Sequence, residues 1–121
     1  MVTRLAVFYM EVTKMNDKVL LEVKGLKKYF PIKRGFWRKS ESRFVKAVDD
    51  MNFYIKEGET LGLVGESGSG KTTTGRAILR AIDPTGGKVL FNLNGTKVDI
   101  VSLSKKELKQ TRKHMQMIFQ D

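Results

Sequence analysis

Short apolar blocks separated by turn residues run along this chain, and their spacing predicts strands grouped around one helix-opening loop. Val19 to Val23 reads as a strand. Val48, Met51, Phe53 and Ile55 alternate loosely with polar positions, as on a half-buried strand over Val48 to Ile55. Between them, Pro31 to Lys46 is basic and without period, contains Gly35, and is expected to be a surface loop or hairpin insertion carrying Phe36 and Trp37. Glu57-Gly58-Glu59 turns the chain into Leu61-Gly62-Leu63-Val64, an unbroken apolar run of the kind buried on both faces. A helix is expected from Thr72 to Ala81, stopped by Asp83-Pro84-Thr85-Gly86-Gly87. Val89 to Leu93 and Lys97 to Ile100 form a hairpin about Asn94-Gly95, two residues that tolerate positive φ. Ser104-Lys105-Lys106-Glu107 is a capping box opening a helix to about Lys113, and Met115 to Phe119 is expected to be a last strand.

The chemistry lies between the apolar run and the first helix. Gly65-Glu66-Ser67-Gly68-Ser69-Gly70-Lys71-Thr72 is a complete phosphate-binding loop, placed in the strand-to-helix context that its mechanism requires. Three phosphates carry several negative charges, and small residues let consecutive backbone N–H groups point at them unobstructed. Gly65, Gly68 and Gly70 keep that approach open. The helix start adds its positive dipole end and unpaired N–H groups. Lys71 reaches the outer phosphates, the Thr72 hydroxyl can sit on Mg²⁺, and Thr73 lies beside it in the first turn. The expected ligands are therefore a nucleoside triphosphate and Mg²⁺, and the resemblance given below makes the nucleotide ATP.

Composition narrows the partners without changing that reading. The 121 residues allow one domain of ordinary size, and no stretch approaches the roughly 20 apolar residues needed to cross a bilayer. Leu5 to Met10 is too short and poorly flanked for a signal peptide, so the chain is read as cytoplasmic. With no cysteine there is no disulfide framework or thiolate chemistry, and the lone His114 cannot build a zinc site. The net charge of +10, from 23 Lys+Arg against 13 Asp+Glu, raises nucleic acid and anionic membranes as partners. The basic residues are spread over the chain without an aromatic platform for stacking bases, so a solvated basic surface is expected and nucleic acid is not.

The order of these pieces resembles the ATP-binding subunits of ABC transporters, specifically those of bacterial oligopeptide and dipeptide importers. The resemblance runs from about Leu20 to Asp121. It rests on Leu26-Lys27-Lys28-Tyr29-Phe30-Pro31, on Ala47-Val48-Asp49, on the stretch from Glu57 through the phosphate loop to Thr72, and on Met115-Gln116-Met117-Ile118-Phe119-Gln120-Asp121. Gly75-Arg76-Ala77-Ile78-Leu79-Arg80 and the final segment look more like the second of the paired ATPase subunits than the first. The resemblance implies an α/β fold, the P-loop NTPase core of an ABC ATPase with an N-terminal antiparallel β part.

It also implies roles. The phosphate loop matches the family's Walker A motif, Phe30 matches the aromatic that stacks on adenine with Tyr29 as the alternative, and Gln120 matches the Q-loop glutamine at Mg²⁺ and the γ-phosphate. Implied partners are a paired ATPase subunit and membrane-spanning permease subunits, at the inner face of the cell membrane. The family's signature motif, Walker B carboxylates, D-loop and switch histidine would fall after Asp121, and His114 is not at the switch position. The chain is accordingly expected to be truncated before the signature and Walker B motifs and to lack meaningful ATPase activity alone. Residues 15–121 read as the N-terminal part of a nucleotide-binding domain. Residues 1–14 read as an extension outside it, from a start codon placed too early, with an edge strand over Leu5 to Met10 as the alternative. The other functions weighed are a non-catalytic nucleotide-binding fragment and the ATPase subunit of a nickel importer.

Overall fold

The computed structural model describes residues 6–10, 18–32, 43–66 and 68–119. In chain order the elements are β1 (Ala6–Met10), β2 (Val19–Pro31), β3 (Phe44–Lys56), β4 (Thr60–Val64), α1 (Lys71–Ile78), β5 (Gly86–Leu93), β6 (Thr96–Asp99) and α2 (Lys105–Thr111). Single 3₁₀ turns occupy Ile100–Ser102 and Arg112–His114. Four strands form an antiparallel sheet in the order β3-β2-β5-β6, and β1 pairs antiparallel with β4. The backbone at 6–10 thus takes the edge-strand arrangement, running from Ala6 opposite Val64 to Met10 opposite Thr60.

The β2–β3 hairpin is longer than the apolar pattern suggests, and a bulge is the reason. Val48 and Phe53 are both buried although an odd number of positions separates them, which a regular strand would put on opposite faces. Asp50 at φ 52° and Gly25 at φ 57° break the register between the two strands. The Asn52 side-chain oxygen accepts from the Gly25 N–H at 2.8 Å and closes the gap so formed. Pairing then continues to Pro31 opposite Phe44, and the Ile32 N–H donates to the Arg43 carbonyl at 2.8 Å. The expected loop over Pro31 to Lys46 is therefore strand at both of its ends. Gly35, Phe36 and Trp37 lie outside the described residues.

One face of the four-stranded sheet carries the core: Val23, Leu26, Val48, Phe53, Val89 and Phe91 pack with Ala77 of α1, Ile100 and Leu108 of α2. The first helix stops at Ile78, short of the expected Ala81. Arg80 takes the left-handed conformation at φ 50°, its N–H returns to the Ala77 carbonyl and the Ala81 N–H to the Arg76 carbonyl, the hydrogen-bond pattern of a Schellman cap. A residue with a Cβ costs about 1–2 kcal/mol in that conformation. The Arg80 guanidinium offsets this by donating to the carbonyls of Ile100 at 3.1 Å and Leu103 at 2.7 Å and pairing with Asp83 at 3.3 Å. That side chain ties the end of α1 to the chain that leads into α2.

Asn94 and Gly95 form the expected turn at φ 52° and 88°. Met115 to Phe119 joins no strand among the described residues, which corrects the expected last strand. Its Met117 methyl stands instead 4.0 Å from where a Cβ on Gly75 of α1 would lie.

The capping box of α2 is formed in both directions, the Ser104 N–H donating to the Glu107 carboxylate at 2.8 Å and the Glu107 N–H to the Ser104 hydroxyl at 3.3 Å. The first of these bonds, foremost, holds the Glu107 carboxyl below its ordinary value of 4.5. A depressed carboxyl stabilises the fold above the unfolded value and loses that effect as pH falls through the folded one. Glu107→Gln is expected to lower the melting temperature by a few degrees near neutral pH, and the difference from wild type should shrink as pH drops below 4.5. Melting curves from pH 7 to pH 3 check this.

Candidate functional site

The turn between β4 and α1 concentrates unpaired polar groups. Gly70 is the N-cap of α1 at φ 92°, and no side chain caps the helix. The N–H groups of Lys71, Thr72 and Thr73 therefore have no partner within the helix, while the Thr74 N–H makes its first bond, to the Gly70 carbonyl at 2.8 Å. The Ser69 hydroxyl is buried, with the residue 6% exposed, and has no hydrogen-bond partner among the described residues. Leaving a buried hydroxyl unsatisfied costs about 1–3 kcal/mol. Such an orphan beside free N–H groups fits an anionic oxygen ligand.

Lys71 completes this arrangement. Its ammonium folds back over the loop and donates to the carbonyls of Gly65 and Glu66, the latter at 2.9 Å. A cation resting on two backbone carbonyls is held in place over the turn, and a phosphate there would offer it full negative charge instead of partial dipoles. The Thr72 side chain is exposed at the helix start, where a hydroxyl can ligate a hard cation together with phosphate oxygens. Among the described residues no cluster of His, Cys, Asp and Glu could hold a metal by itself.

The turn is fixed in space by the β2–β3 hairpin. A Cβ on Gly70 would collide with the Ala47 carbonyl oxygen of β3, so loop and hairpin meet backbone to backbone. On the helix side the buried Thr74 hydroxyl returns a bond to the Gly70 carbonyl at 2.7 Å, tightening the first turn. The same hairpin carries the two candidate aromatics. Phe30 stands opposite Val45, two residues along β3 from Ala47, or roughly 7 Å at the usual strand rise. It is 40% exposed, with the Lys28 ammonium over its ring at 5.0 Å from the centroid. Tyr29 is engaged otherwise. Its hydroxyl donates to Asp49 at 2.5 Å and Lys46 lies over its ring at 5.4 Å. The hydrogen bond to Asp49, then desolvation and the charges of Asp49 and Asp50, push the Tyr29 hydroxyl pKa up.

Of the residues singled out in the sequence, Gly65, Glu66, Gly68, Ser69, Gly70, Lys71, Thr72 and Thr73 form one continuous turn and helix start, with Phe30 on the neighbouring hairpin. Ser67 and Gln120 lie outside the described residues. Three participants carry no signal in the sequence: the Ala47 carbonyl against Gly70, the Thr74 back-bond and Lys28 over Phe30. A groove of about 350 Å³ opens beside α1 among Leu79, Ala81, Arg112, Met115, Met117 and Phe119.

A family model described as ABC transporter matches residues 48–121. The oligopeptide transport ATP-binding protein AppF of Bacillus subtilis (strain 168) is 47% identical over 110 residues, which cover 90% of this chain and 32% of AppF. The oligopeptide transport ATP-binding protein OppF of the same organism is 51% identical over 110 residues, 88% of this chain and 31% of OppF. A probable peptide ABC transporter ATP-binding protein of Sinorhizobium fredii, y4tS, is 50% identical over 107 residues, 88% of this chain and 29% of its own length. The chain thus spans about a third of the length of these relatives. Among solved structures, the dimeric post-hydrolysis state of the ATP-binding cassette MJ0796 bound to ADP and Pi superposes with a TM-score of 0.54 at 26% identity, covering 77% of this chain and 35% of that one.

The two loop glycines should respond differently to a methyl group. Gly68, at φ 79°, faces open space, and Gly68→Ala is expected to cost about 1–2 kcal/mol for the left-handed conformation alone. Gly70→Ala meets the Ala47 carbonyl as well and is expected to cost about 2–4 kcal/mol. Urea unfolding of the two variants compares these losses directly.

Proposed function

The chain belongs to the ABC transporter family, and on that premise we propose that it is the ATP-binding part of a transporter subunit that powers import of oligopeptides or dipeptides. The observation that carries the reading is the turn at Gly65–Thr72, where a buried orphan hydroxyl, uncapped helix N–H groups and a lysine resting on backbone carbonyls converge. Each of these groups gains a stronger partner when phosphate oxygens enter.

In this reading the N–H groups of Lys71 to Thr73 and the Ser69 hydroxyl receive the phosphates, and Lys71 neutralises the outer ones. Thr72 would hold Mg²⁺, which supplies charge neutralisation between the outer phosphates. Phe30 offers its exposed ring to the adenine, a role favoured over Tyr29 because Phe30 is the more exposed of the two and the Tyr29 hydroxyl is already committed to Asp49. Gln120 is assigned to the γ-phosphate side. The Met117 methyl beside Gly75, one helical turn from Lys71, supports that assignment.

The names of the relatives support the substrate class, because AppF and OppF are oligopeptide transport proteins. A paired ATPase subunit and membrane-spanning permease subunits are the partners this function requires, with the chain on the cytoplasmic face. No helix among the described residues is long and apolar enough to cross a membrane itself.

Titration of a fluorescent ATP analogue with Mg²⁺ should show saturable binding to the chain. Lys71→Ala should bind at least tenfold more weakly, because a hydrogen bond to a charged group contributes about 1.5–3 kcal/mol. Equal affinities would rule the phosphate-loop assignment out.

A further inference from the structure

Lys28 links the candidate base-stacking aromatic to the chain beyond the exit of α1. Its ammonium donates to the Asp83 carbonyl at 2.7 Å, just beyond the end of α1, and lies over the Phe30 ring at 5.0 Å from the centroid. Two further bonds fasten the same stretch: the Tyr29 N–H donates to the Thr85 hydroxyl at 2.9 Å, and the Thr85 N–H to the Lys27 carbonyl at 2.8 Å. The strand that carries Phe30 is thereby buckled to the exit of α1, the helix whose entrance is the phosphate loop.

We propose that Lys28 is a positioning residue for base recognition: pinned by the Asp83 carbonyl and seated over one face of the Phe30 ring, it holds that ring with the opposite face free for a purine. The inference rests on the nucleotide reading above and extends it. An exposed phenylalanine at a strand end samples several rotamers, and stacking on a base then costs it that freedom. A cation fixed over one face removes the freedom beforehand, because ring and ammonium attract and the ammonium is itself anchored to backbone. Phe30 is 40% exposed, which leaves ring surface open to a flat ligand. Among the described residues the Lys28 ammonium has its partners in the Asp83 carbonyl and the Phe30 ring, both outside the phosphate loop, so its effect is expected on the base alone.

The test compares two ligands that share phosphates and differ in the base: Mg²⁺–ATP and Mg²⁺–tripolyphosphate, titrated calorimetrically against the full chain. Lys28→Met is expected to weaken ATP about three- to tenfold and to leave tripolyphosphate unchanged. Phe30→Ala should show the same selectivity with a larger loss, about tenfold or more. Lys28→Arg should restore ATP affinity, since a guanidinium can both donate to the carbonyl and lie over the ring. Unchanged ATP affinity in Lys28→Met overturns the proposal. So does an equal loss for both ligands, which marks a role in fold stability or in phosphate binding, and so does failure of Lys28→Arg to restore ATP. If the wild-type chain binds neither ligand, or Lys71→Ala binds both as wild type does, the phosphate-loop reading fails and this inference with it.

Discussion

The contact between the Ala47 carbonyl and Gly70 is the constraint on which the site depends. A phosphate-binding turn must keep its backbone N–H groups converging on one point, and a six-residue swing between strand and helix has no internal ladder to do so. Here the turn is pressed against a sheet strand at the one residue that has no side chain to hold it off. The N-cap geometry of α1 follows from that seat, because Gly70 at φ 92° is where the chain changes direction from loop to helix. The bulge at Gly25 and Asp50 matters for the same reason: by shifting the register of the β2–β3 hairpin it buries Val48 beside Ala47 and fixes the carbonyl in place.

The site is built with its polar groups poised. Among the described residues the Ser69 hydroxyl has no partner, the first N–H groups of α1 are uncapped, and Lys71 rests on the Gly65 and Glu66 carbonyls. Each arrangement is less favourable than the one an anion would provide, and burial makes the difference larger. The far end of α1 is treated in the opposite way. Arg80 satisfies the carbonyls of Ile100 and Leu103, and Arg112 donates to the Arg80 carbonyl at 2.6 Å. A helix secured at its exit and left open at its entrance presents its positive end to a ligand without loosening the core, where Ala77 and Thr74 are fully buried.

Length sets what this chain holds relative to its family. Its relatives are about three times as long, and the similarity to the solved cassette covers 35% of that chain. Apolar surface remains at Val64, Ile118 and Phe119, around the phosphate-loop strand and the segment beyond α2. The aromatic hairpin is nonetheless joined within this chain to the segment beyond the exit of α1 by direct hydrogen bonds between residues 27–29 and residues 83–85.

What the sequence determined by itself were the features encoded by neighbouring residues. The Asn94-Gly95 turn and the Ser104–Glu107 capping box each depend on contacts only a few positions apart, so their residue types suffice to specify them. The tertiary structure decided what depends on register and on distant partners. Arg80 ends α1 early because carbonyls twenty residues away reward its left-handed turn, a pairing no local pattern announces. Met115 to Phe119 has the composition of a strand but, among the described residues, joins no strand. The alternation of Val48, Met51 and Phe53 hid a bulge, since a period of two cannot show where an extra residue enters.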